Sequence, residues 1–125
     1  MSYLNKDEVL IKRNEKGELL PVDVTLELLE DKSIVQLIPL TKGDIQELYS
    51  IESKTERFEI ENRLISEHLV NPKLTIEEVK VMKPSIYGAT LTALLSISLD
   101  MTQEELRKIA DESVIENLEV KKKLN

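Results

Sequence analysis

The residues with the widest chemical range fall close together, in "HLVNPKLTIEEVKVMKPS" (68–85). This stretch holds the only histidine, His68, two of the four prolines and the adjacent acids Glu77 and Glu78. A histidine beside carboxylates suggests general acid–base work. For that, His68 would need a group orienting one ring nitrogen and a nucleophile at the other. The chain has no cysteine, so a Cys–His pair is excluded, and no Gly-x-Ser-x-Gly turn presents a serine. The simpler reading places His68 in the last turn of a helix, where a positive ring complements the helix dipole.

Two carboxylate pairs stand out, Glu77/Glu78 and Glu104/Glu105. Glycoside chemistry needs two carboxyls facing each other across a cleft with their pKa values pushed apart. Here each pair instead follows a threonine, Thr75 or Thr102, at the spacing of a helix cap, where the dipole favours acids. Zinc ligand spacings such as His-x-x-x-His and Glu-x-x-His do not occur. The acids of "DIQELYSIESKTE" lack calcium-loop spacing. With only Gly17, Gly43 and Gly88, there is no Gly-rich phosphate cradle. Gly43 precedes a helix, where a lone anion could bind, but a flexible start to that helix is the favoured reading. No cofactor, metal or catalytic residue is expected, and the chain reads as a non-enzyme.

Those residues need elements to hold them. The chain has 125 residues, the size of one domain, and 41% hydrophobic with 33% charged residues favours folding over disorder. Phe58, Tyr3, Tyr49 and Tyr87 are its only aromatics, so the core must be aliphatic and no stacking platform for bases exists. A net charge of −7 repels phosphate backbones, which argues against a nucleic-acid partner. The opening "MSYLNKDEVLIKRNEKG" lacks the pattern of a signal peptide. The most apolar window, Ile86 to Leu99, is too short to span a bilayer and carries Thr90, Thr92, Ser96 and Ser98, so it reads as a buried helix. No membrane association is expected.

Residues 1–40 read as a β-rich part, 41–120 as a helical part and 121–125, with its lysine run, as a frayed tail of one domain. "EVLIKRNEKGELLPVDVTLELL" sets β-branched residues around a turn at Asn14–Gly17. "VDVTLEL" alternates Val22, Val24, Leu26 and Leu28 against Asp23, Thr25 and Glu27, the period of a half-buried strand. "SIVQLIPL" is either a third strand or extended linker. From Thr41 the period becomes helical. Thr41 with Asp44, Ser53 with Glu56, Thr75 with Glu78 and Thr102 with Glu105 mark helix starts. Ile45, Leu48, Tyr49 and Glu52 are spaced along the first of these helices. Phe58, Ile65 and Leu69 lie along one face of the second, with Leu64 beside them, and that helix should stop at Asn71–Pro72. Pro84 suits a first helical turn. Gly88, Ala89 and Ala93 are small enough to let a neighbouring helix approach. "LTIEEV" and "MTQEEL" share only a cap signature and read as two separately capped helices. The expected fold is α+β and mostly helical: a small N-terminal antiparallel hairpin or three-stranded sheet, then four to five helices around an apolar helix near 85–99.

The order "ISEHLVNP", "KLTIEEVKVMKPS", "IYGATLTALLSISLD", with "IPLTKGDIQEL" before it, resembles the tail assembly chaperones of long-tailed bacteriophages and prophages. The likeness covers about residues 33 to 101 and rests on caps, prolines and apolar positions. It implies a non-enzymatic protein in the cytoplasm of the bacterial host. Such a protein would hold the aggregation-prone tape measure protein, help recruit tail tube subunits and be absent from the finished particle. The family often has a frameshifted longer form, and lysine codons of the kind "KKK" encode could serve as the slippery site. The alternative is a structural tail or connector component retained in the virion. Self-association is left open. A holder of apolar segments needs exposed aliphatic surface. The candidate partner-binding stripe is Leu106, Ile109, Ala110, Val114 and Leu118 on the last helix, although such a stripe is more often core.

Overall fold

The computed structural model describes residues 3–109. The fold is α+β and mostly helical, with a three-stranded antiparallel sheet. Among the described residues no helix is long and apolar enough to cross a membrane.

The chain opens with a single helical turn, α1 (Lys6–Val9), where a strand was expected. Asn5 explains the difference. Its Oδ1 accepts from the Glu8 amide at 2.9 Å and its Nδ2 donates to the Glu8 carboxylate, a local cap that outweighs the β preference of Val9. The turn at Asn14–Gly17 forms as anticipated. Gly17 has φ +82°, and Asn14 Oδ1 accepts from the amides of Lys16 and Glu18. The arms beside it pair only at Arg13 and Leu19 and stay outside the sheet.

The sheet order is β1-β2-β3: β1 (Val22–Thr25), β2 (Ile34–Leu37) and β3 (Leu69–Asn71). The alternation in "VDVTLEL" holds at its centre. Val24 and Leu26 are buried opposite Val35, with Leu37 on the same side, while Val22 and Leu28 at the ends remain exposed. Thus "SIVQLIPL" does supply a strand. The third strand, however, comes from "LVN", inside the part read as helical. Helix α3 (Lys54–His68) therefore ends three residues before Asn71. Leu69 pairs with Leu37, and the Ile38 amide donates to the His68 carbonyl at 2.8 Å. The open edge of β2 captures the chain before Pro72 can stop it.

Helix α2 (Lys42–Tyr49) begins with a full capping box: Thr41 Oγ1 accepts from the Asp44 amide and Asp44 accepts from the Thr41 amide. Leu48 is buried, while Tyr49 is exposed, so the inner face of α2 is narrower than its apolar spacing suggested. Only half of the Ser53 box forms. Ser53 Oγ accepts from the Glu56 amide at 3.5 Å, and Glu56 returns no bond among the described contacts. Helix α4 (Ile76–Lys80) carries the complete Thr75–Glu78 box. Helix α5 (Pro84–Leu99) begins with proline in its first turn and ends at Asp100 in a left-handed conformation. A further helical stretch runs from 103 to 109, started by Thr102 and Glu105.

The core joins Val24, Leu26, Val35 and Leu37 of the sheet segment to Leu64 and Ile65 of α3 and to Ala89, Ala93 and Leu94 of α5. Ser98 Oγ accepts from the Leu40 amide at 2.8 Å, pinning α5 to the chain just after β2. Ala89 and Ala93 are buried as their size implied, but Gly88 is exposed. A Cβ built there meets nothing within 4 Å, and its φ is not positive. The glycine thus weakens α5 and supplies no close approach. Gly88→Ala should raise unfolding stability by about 0.5–1 kcal/mol, read as a higher urea midpoint at constant m-value.

Candidate functional site

His68, the first candidate, is buried at 7% exposure. Its Nδ1 lies 2.8 Å from the Ile38 carbonyl oxygen. A carbonyl cannot donate, so Nδ1 carries the proton in this contact. Nε2 faces Asp44 Oδ2 at 3.4 Å, and that same oxygen accepts from the Thr41 amide at 2.9 Å. Both ring nitrogens therefore face acceptors that belong to the scaffold. The ring joins the end of α3, the chain after β2 and the start of α2. This is a buried clamp, not a base aimed at a substrate.

The paired acids are divided between capping and surface pairing. Glu78 and Glu105 accept from the amides of Thr75 and Thr102. Glu77 lies 3.5 Å from Lys80, and Glu104 lies 3.8 Å from Lys108, both as exposed pairs one helical turn apart. Such pairs contribute a few tenths of a kcal/mol each. Among the described residues no three of His, Asp and Glu come together so as to hold a metal ion.

The apolar stripe chosen on the last helix is described in part. Leu106 is half-buried and Ile109 is 51% exposed; Ala110, Val114 and Leu118 lie outside the described residues.

A different apolar surface lies between α3, α4 and the start of α5. Phe58 and Asn62 of α3, Val79 and Lys80 of α4, then Met82, Pro84 and Tyr87 line a hollow of about 350 Å³. A second hollow of about 350 Å³ continues past Asn62 and Lys80, between Ile60 and Ile76. Together they make a groove along the two helices. Phe58 at its rim is 57% exposed, and Val81, next to Met82, is 81% exposed. Tyr87 forms part of the floor. Its hydroxyl donates to Glu61 Oε1 at 2.9 Å. Burial, and then the Glu61 carboxylate, push that hydroxyl above the usual tyrosine range.

This groove was hidden in the sequence because Phe58 shares a helical stripe with Ile65, seven positions away. Yet Ile65 is fully buried while Phe58 is 57% exposed. The available signal was the short α4, whose five residues cannot cover a fifteen-residue neighbour. The groove has the composition of a protein-docking surface, apolar with a few polar groups at its edge. No family model, curated protein or solved structure matches the chain.

Proposed function

We propose that this chain is a non-enzymatic tail assembly chaperone of a long-tailed bacteriophage or prophage. In the cytoplasm of the bacterial host it would hold segments of the tape measure protein and help recruit tail tube subunits. The observation that carries the binding role is the apolar hollow beside exposed Phe58, with half-buried Met82 and Tyr87 in its lining. A helical client could lay its apolar face there, by the helix-in-groove mode of recognition. The net charge of −7 suits a holder that must keep an apolar client in solution. The likeness over residues 33 to 101 supports the identity of the client.

The test is co-expression with a tape measure protein from the same genome. The expected result is a soluble complex, where the tape measure protein alone precipitates. No complex and no gain in solubility would sink the proposal. Abundant copies in purified mature particles, counted by mass spectrometry, would replace it with the structural reading. Phe58→Gln should weaken the complex at least tenfold, because an exposed aromatic that a client buries at the centre of the contact is a typical anchor. The same change should leave unfolding stability within about 0.5 kcal/mol, because the side chain is mostly in solvent. Titration of the purified partner against both proteins reads the difference.

A further inference from the structure

Gln103 is a polar side chain only 5% exposed, in a stretch whose neighbours Glu104 and Glu105 are both exposed. Its amide reaches the other end of the chain. Nε2 donates to the Thr25 carbonyl at 2.8 Å, and Oε1 accepts from the Glu27 amide at 3.2 Å. Strand β1 is at the edge of the sheet. The Leu26 amide donates to Ser33, so residues 22, 24 and 26 turn their backbone groups toward β2. Residues 23, 25 and 27 turn theirs outward. The Gln103 amide thus takes the two positions where an added strand would make its bonds to residues 25 and 27.

The outward groups of β1 are self-complementary. In an antiparallel pairing of two copies, with Asp23 opposite Thr25 and Thr25 opposite Asp23, each residue offers one N–H and one C=O to its partner. Four backbone bonds result, with Val24 facing Val24 at the two-fold axis. Asp23 then meets a threonine, not a second aspartate, so like charges are not opposed. Two of the four bonds require the Thr25 carbonyl. Among the described residues that oxygen is held by Gln103, while no hydrogen bond reaches the outward backbone groups of Asp23.

We infer that Gln103 is an edge guard: its side-chain amide occupies the Thr25–Glu27 end of β1 and prevents β1 from pairing with β1 of a second copy. Exposed edges are a common route to unwanted association, and proteins block them with charges, prolines or covering elements. Here the covering group is one side chain, carried by the first turn of the helical stretch 103–109. The inference stands apart from the groove and from its client.

The experiment compares wild type, Gln103→Ala, Gln103→Glu and the double variant Gln103→Ala/Asp23→Pro by sedimentation velocity over a hundredfold concentration range. Glu27 amide exchange is followed in parallel. Glutamate keeps the side-chain volume and the acceptor for Glu27 but loses the donor to Thr25, so it tests the guard without opening a cavity. Proline at 23 removes an outward N–H and no bond to β2. The expected result is a doubling of mass, relative to wild type, for both single variants. In Gln103→Ala the Glu27 amide should also exchange at least tenfold faster at low concentration. The double variant should return to the wild-type mass. Single variants that keep the wild-type mass throughout would overturn the inference, as would association that persists in the double variant.

Discussion

Leu94→Ala is expected to lower the unfolding free energy by about 3–5 kcal/mol, the range for a fully buried leucine cut back to alanine. Leu94 has no exposed surface and lies among the sheet segment, α3 and α5. The loss combines the transfer free energy of the removed methyl and methylene groups with the cavity left behind. That cavity cannot collapse easily. The same face of α5 is already reduced to Ala89 and Ala93, which bring the helix backbone close to its neighbours. A domain of this size typically has about 5–15 kcal/mol in total, so the change takes at least a fifth of it. In a thermal scan it should appear as a drop on the order of 10–20 °C. The same truncation at half-buried Leu91, one turn earlier, should cost less than half as much. Equal losses at the two positions would mean that α5 is not packed as described.

His68→Ala should cost about 2–4 kcal/mol, more than a histidine in an exposed last turn could account for. The Ile38 carbonyl would lose its side-chain donor, and the ring would leave a void beside Asp44. An unsatisfied buried acceptor costs about 1–3 kcal/mol, with the cavity term added to it. Two shorter replacements separate the contributions. Asparagine places its amide near the position of Nδ1 and can still donate to Ile38. Glutamine reaches toward the position of Nε2 and can donate to Asp44. The 2.8 Å contact is the tighter of the two, so His68→Asn should recover more stability than His68→Gln in urea unfolding. Binding of the client by the folded fraction should be unchanged in all three, because the ring lies outside the groove. A loss under 0.5 kcal/mol for the alanine variant would remove the clamp from the account.

What the sequence made legible was local. Thr41 with Asp44, Thr75 with Glu78 and Thr102 with Glu105 could be read because a cap depends on residues three positions apart. The buried character of α5 could be read because it requires no partner to be named. The features that escaped are those whose partners are distant. "LVN" is too short to show a period, and it becomes a strand because β2 offers an open edge. Gln103 sits among exposed acids, and nothing nearby announces that its amide meets β1. The same holds for the candidate site. Spacing puts Phe58 on one face with Ile65, and only the reach of α4 decides whether a residue on α3 is covered. Asn5 shows the opposite error: a strong local cap was available, and the β-branched residues after it drew attention away.

The β1–β2 hairpin closes between neighbours in the chain, but its two edges close late. The bond from His68 to Ile38 spans 30 residues, and the bond from Gln103 to Thr25 spans 78. The second strand is complete at Leu37, 66 residues before Gln103, so during translation at roughly 5–20 residues per second the wait lasts about 3–13 s. For that time a nascent chain carries a formed hairpin with an unsealed outer edge. Neighbouring ribosomes on one message would bring such hairpins close together. The order in which this protein is made therefore leaves an interval for co-translational pairing that the finished fold closes with one glutamine.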